Sequence, residues 1–130
     1  MDGSNYFLDT NIIVEFLRGN PNAIAYLQKH TNFIVSAIVL GELSFGVENA
    51  KQFEKHIKQL DDFIVGIEII KIDAETAITY GKIKSELRKK GKPIPENDIW
   101  IAALSLQHNL TLVTNDAHFK NVSLLKIKEI

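Results

Sequence analysis

The chain has 130 residues, 45% hydrophobic and 24% charged, with a formal net charge of -1 at pH 7. That composition fits one globular domain with an ordinary core, leaves no room for a second, and excludes a molecule that binds polyanions over its whole surface. The absence of cysteine excludes thiolate zinc sites, cysteine nucleophiles and disulfide scaffolds.

From the N-terminus, Met1-Asp2-Gly3-Ser4-Asn5 carries neither a basic nor an apolar leader segment. No apolar run approaches the ~18 residues needed to cross a bilayer, so a cytoplasmic protein without a membrane partner is expected. Tyr6-Phe7-Leu8 reads as a strand stopping at Asp9, and Ile12 to Leu17 as a helix ended by Arg18-Gly19-Asn20-Pro21. A short helix over Asn22 to Lys29 leads to a second strand, Phe33-Ile34-Val35, with Ser36 as N-cap of a largely buried helix from Ala37 to Asn49. In that helix Val39, Leu43 and Gly46 share one stripe, and Ile38, Glu42 and Phe45 the neighbouring one.

Lys51 to Val65 keeps helical periodicity through Phe53, Ile57, Leu60 and Ile64, and Glu68 to Ile72 reads as the third strand. Asp73 is placed to cap a helix from Ala74 to about Lys90, expected to bury Ala77, Ile78 and Gly81 and to end at Gly91. After the stiff connector Lys92-Pro93-Ile94-Pro95, a helix spans Glu96 to Gln107, with Trp100 read as core packing and Asn109 supplying the C-terminal turn. Thr111 to Thr114 is the fourth strand, closing at Asn115-Asp116, and Leu124 to Ile127 a final edge strand. Strands alternating with helices predict an α/β domain with a parallel sheet.

Four acids stand where such a sheet concentrates function. Asp9 and Asp116 follow strands, at the carboxyl ends near the reversal of strand order where ligands gather. Asp98 opens a helix and Glu42 lies inward on another, so both are expected to reach the same crevice. Each acid also has a local reading: Asp9 as an N-cap, Asp98 as a first-turn acid, Asp116 as a turn residue, Glu42 as part of a surface stripe or salt bridge. Thr10, Asn11, Thr114 and Asn115 are neighbours able to orient ligands or water, or to cap.

Carboxylates gathered near Tyr6-Phe7-Leu8 and Ile99-Trp100-Ile101 repel one another and raise their own pKa values unless a cation neutralises them. His30, His56, His108 and His118 show no metal-ligand spacing, and oxygen donors without cysteine or a nearby histidine favour Mg²⁺ or Mn²⁺ over Zn²⁺. Such a site suits phosphodiester hydrolysis by a metal-activated water, with one ion or two. Lys82 to Lys92 carries six bases against one acid, and Arg88, Lys89, Lys90 and Lys92 are its candidates for nucleic-acid contact.

Read in order, Phe7-Leu8-Asp9-Thr10-Asn11, Leu40-Gly41-Glu42-Leu43, Asn97-Asp98-Ile99-Trp100-Ile101-Ala102-Ala103 and Leu112-Val113-Thr114-Asn115-Asp116 resemble the PIN-domain ribonucleases, specifically the VapC-type toxins. The run Lys89-Lys90-Gly91-Lys92-Pro93-Ile94 before the third acid adds to the likeness, which spans nearly the whole chain. The resemblance implies a three-layer α/β/α fold over residues 1–130, a Mg²⁺- or Mn²⁺-dependent endoribonuclease, a homodimer, and a cognate antitoxin that inhibits it. It implies tRNA, rRNA or mRNA as substrate and Asp9, Glu42, Asp98 and Asp116 as the acidic positions, the fourth held by Asp or Asn in the family. Glu96 is a possible accessory acid.

Two other enzyme classes with an aspartate after the first strand fit less well. An aspartyl-phosphate phosphatase wants an acid two residues on, where this chain has Asn11, and a phospho-accepting receiver built on Asp73 lacks paired acids after strand one. The alternative from a different class is a non-catalytic RNA-binding or protein-interaction module on the same fold.

Overall fold

A computed structural model describes residues 5–30 and 32–130. Of the segment Met1 to Asn5, where no leader is expected, only Asn5 lies within the described residues. The elements are β1 (Tyr6–Leu8), α1 (Thr10–Leu17), α2 (Pro21–Lys29), β2 (Phe33–Ser36), α3 (Ala37–Glu48), α4 (Phe53–Ile64), β3 (Glu68–Ile70), α5 (Ala74–Lys90), α6 (Glu96–Gln107), β4 (Thr111–Val113), a 3₁₀ turn (Ala117–Asn121) and β5 (Lys126–Lys128).

All five described strands pair in parallel, in the order β3-β2-β1-β4-β5. The chain builds one half of the sheet outward from β1 and then returns to its other side, so the reversal of strand order falls between β1 and β4. Successive strand residues point to opposite faces, and Phe7, Leu8, Leu112 and Val113 are all fully buried. Both faces of the central strands are therefore covered, as a parallel sheet requires, and the α/β expectation of a layered domain with a central parallel sheet holds.

Local signals set most boundaries. Ser36 accepts the Val39 N–H at 2.9 Å and caps α3; Asp73 and Thr76 form a capping box on α5, which ends at Gly91 in the left-handed region (φ 69°). Asn109, with φ 53°, turns the chain out of α6. The edge strands differ from expectation: β3 stops at Ile70, and β5 begins at Lys126 because Leu124 sits in a left-handed turn (φ 66°), almost wholly exposed.

Two helix faces are corrected. In α5, Ala77, Ile78 and Gly81 are exposed, and the buried residues are Thr76, Ile83 and Leu87. Thr76 bonds both Asp73 and Gln107, which fixes that side of α5 against α6 and turns the apolar alternative outward. In α3 only Val39 and Leu43 are buried, Gly46 is exposed, and Phe45 is 72% exposed. Trp100 departs from the core-packing expectation: it is half-buried outside the core and stacks on Tyr80, ring centroids 3.9 Å apart and planes 14° from parallel, covering the α5–α6 seam.

Candidate metal centre

Leu8 and Val113 are in register on adjacent strands, so Asp9 and Thr114 emerge side by side at the carboxyl ends of β1 and β4. Asp9, 5% exposed, caps α1 with Oδ1, which accepts the Thr10 N–H at 2.8 Å. Its Oδ2 accepts the Thr114 hydroxyl at 2.7 Å, with the Asn11 amide at 3.4 Å. The capping reading of Asp9 holds, and the same side chain lines the acid pocket. Thr114 in turn accepts the Asp116 N–H at 3.0 Å, setting the path of the chain that carries the fourth acid.

Glu42 is half-buried on α3, and its Oε1 accepts the Thr10 hydroxyl at 2.7 Å. Asp98 occupies the first turn of α6, its side chain 13% exposed, and Asp116 caps the 3₁₀ turn, its side chain 31% exposed. Asp9, Glu42, Asp98 and Asp116 line one open pocket of about 370 Å³, together with Thr10, Asn11, Val14, Glu15 and Arg18.

Burial dominates the electrostatics. It pushes the Asp98 carboxyl up to about 6, and the charges of Asp9 and Asp116 add to the rise while His118 opposes it. Asp9 is also raised, first by burial, although Thr114 and the Thr10 N–H hold it back and Glu42 and Asp116 push it further. Two neighbouring acids that resist ionisation are what an uncompensated cation site looks like. The buried Oδ1 of Asn11 has no hydrogen-bond partner, while its amide nitrogen faces Asp9 and Thr114. Oxygen donors in an open pocket fit a hard divalent ion that keeps several waters.

Three expected participants stand elsewhere. Asn115 accepts the Ile130 N–H at 3.1 Å and lines a neighbouring cleft with Asn11 rather than the acid pocket. Glu96 pairs with Lys84 and accepts the Tyr80 hydroxyl at 2.5 Å, which lowers its pKa and keeps it out of the cluster. Lys90 is tied to Glu86, the Asn121 carbonyl and the Ser123 hydroxyl, whereas Arg88, Lys89 and Lys92 are exposed.

His118 was missed. Its Nδ1 stands 3.0 Å from Asp116 Oδ1 and 3.5 Å from Asp98 Oδ2, so the expectation of a centre without a nearby histidine is overturned. The available signal was Asp116 two residues earlier, a capping residue whose short turn folds the next side chains back.

An all-parallel sheet that brings four carboxylates to one pocket beyond its strand-order reversal defines an α/β domain with an acidic candidate metal site. The chain belongs to the PIN-domain family, whose model matches residues 6–125, and to its VapC-type branch. A ribonuclease VapC2 of Rickettsia felis is 38% identical over 122 residues, covering 90% of this chain and 91% of that protein. The structure of VapBC2 from Rickettsia felis bound to a promoter DNA fragment superposes with a TM-score of 0.87 at 36% identity, covering 96% of this chain and 98% of that one. A tRNA(fMet)-specific endonuclease VapC of Shigella flexneri is 27% identical, covering 95% of this chain and 96% of that protein.

Proposed function

We propose that residues 1–130 form a single catalytic domain, a Mg²⁺- or Mn²⁺-dependent endoribonuclease that acts as the toxin of a VapBC-type pair. The observation that carries this reading is the shared pocket of Asp9, Glu42, Asp98 and Asp116, two of whose carboxyls have raised pKa values. When bound, the ion supplies positive charge for the scissile phosphate and acidifies a water.

Asp9, Asp98 and Asp116 would hold the cation, beside a Glu42 that Thr10 orients. Thr114 and Asn11 fix the Asp9 carboxylate so that its oxygens need not reorganise. Arg88 and Lys89 lie in the last turn of α5 and Lys92 in the five-residue connector to α6, which carries Asp98 in its first turn, a position suited to guiding an RNA backbone. RNA as substrate, whether tRNA, rRNA or mRNA, rests on the names of the relatives. So does a cognate antitoxin, since the solved relatives are VapBC complexes. Phe45, exposed in a cleft it shares with Ile38 and Glu42, offers a protein partner an apolar contact beside the site. A homodimer and a cytoplasmic setting belong to the same proposal; no described helix is long and apolar enough to cross a membrane.

The test is incubation of the purified chain with end-labelled structured RNA in Mg²⁺ or Mn²⁺, with and without EDTA, beside Asp98→Asn. Cleavage that EDTA and Asp98→Asn both abolish is expected. Binding without metal-dependent cleavage would favour the non-catalytic module instead.

A further inference from the structure

The 3₁₀ turn after β4 brings His118 beside Asp98 and Asp116 at the edge of the acid pocket. Asp116 Oδ1 accepts the His118 backbone N–H at 2.9 Å, and the next residue, Phe119, is fully buried. With the backbone clamped before it and an anchor after it, the ring of His118 is held above Asp98 and Asp116, still half exposed to solvent. One donor atom from each of Asp98, Asp116 and His118 lies within 4.8 Å of the other two. Ligands about 2.1 Å from a common ion stand roughly 3 to 4 Å apart, so closing this triangle takes only small side-chain adjustments.

We propose that His118 supplies a nitrogen ligand to the cation held by Asp98 and Asp116, making this rim of the pocket a mixed nitrogen and oxygen site. The inference rests on the metal-dependent reading above. It divides the pocket chemically: Asp9 and Glu42 offer oxygen alone, while the rim adds an imidazole. Carboxylate and water suit Mg²⁺ and Mn²⁺, and imidazole suits Ni²⁺ and its neighbours, so His118 widens the range of ions the site holds. A purely hydrogen-bonding role, an N–H given to the Asp116 carboxylate, predicts no such selectivity. His118→Gln separates the two, because glutamine keeps an N–H donor and offers only oxygen to a metal.

The experiment is calorimetric titration of the untagged full chain with MgCl₂ and with NiCl₂, beside His118→Gln and the exposed control His108→Gln, each checked for a cooperative thermal transition. His118→Gln is expected to weaken Ni²⁺ binding at least about tenfold and to change Mg²⁺ binding less than about threefold, with His108→Gln unchanged. Pulsed electron paramagnetic resonance of the Mn²⁺-loaded wild type is expected to show a directly bound nitrogen that His118→Gln removes. Unchanged Ni²⁺ affinity, an equal loss for both ions, or bound Mn²⁺ without nitrogen coupling overturns the inference and leaves the metal reading intact. Failure of the wild type to bind any of the three ions removes both.

Discussion

Asp9 and Asp116 line the same pocket under opposite constraints. Asp9 is 5% exposed, and its two oxygens receive a backbone N–H, a threonine hydroxyl and an asparagine amide. Asp116 is nearly one third exposed, caps a short turn, and faces His118. The floor of the pocket is therefore built into the junction of β1 and β4, where the cap of α1 and the bond to Thr114 share one carboxylate. The rim depends on a short 3₁₀ turn whose capping acid is partly exposed. Pre-organisation is bought at the floor with burial of an acid that resists ionisation, and the rim supplies adaptability.

The sharpest way to break this contrast is paired substitution. Asp9→Asn keeps a capping oxygen and removes a desolvated charge, so the metal-free protein should unfold no more easily than wild type, while RNA cleavage falls at least about a hundredfold. Asp116→Asn also preserves its cap and, at a partly exposed position, should lose about tenfold or less. Single-turnover cleavage beside thermal melts measures both. Equal losses at the two positions would show that floor and rim are not distinct.

A second effect comes from pH. The folded Asp98 carboxyl titrates near 6, above the ordinary value of 3.8. Between those values the folded state binds more protons than the unfolded state, so this group opposes folding progressively as pH rises from about 4 to about 6, with no further change above. The contribution is at most about 3 kcal/mol, and Asp9, raised by the same cause, has the same sign. Asp73, Glu86 and Glu96 are shifted the other way, so the quantity to measure is wild type minus Asp98→Asn, melted from pH 4 to 8 without metal. That difference should fall with pH, and saturating Mg²⁺ should flatten it, since the ion favours the ionised form. A flat metal-free difference would place Asp98 in a well-solvated setting.

The floor was legible in the sequence for the same reason that it is rigid. Strand β1 stops at a residue that is both helix cap and carboxylate, so the boundary and the chemistry come from one local signal, and the half-burial of Glu42 followed from its apolar neighbours. The faces of α5 were not legible: two stripes are plausibly apolar, and the choice rests on Thr76, a polar residue buried through its bonds to Asp73 and to Gln107, 31 residues on. Periodicity cannot weigh a polar residue satisfied by a distant partner. His118 escaped because spacing rules for metal ligands describe helices and strands, and a 3₁₀ turn folds residues back at shorter range. The basic run was visible as charge, but not the diversion of Lys90 to Asn121 and Ser123.

That diversion yields the smallest effect and extends the floor-and-rim contrast to the substrate path. If Arg88, Lys89 and Lys92 guide RNA and Lys90 pins the C-terminal segment to α5, changing the first three to Gln should weaken RNA binding by a few fold at low salt and lower the salt slope by up to about three phosphate contacts, without moving the melting point. Lys90→Gln should leave the slope nearly unchanged and lower stability by up to about 1 kcal/mol, because its partners are partly exposed. Filter binding across a salt series, with thermal melts of the same proteins, separates them. A triple variant with the wild-type slope would mean that RNA reaches Asp98 by a path that does not touch the end of α5, and that the charge run serves α5 alone by complementing its dipole.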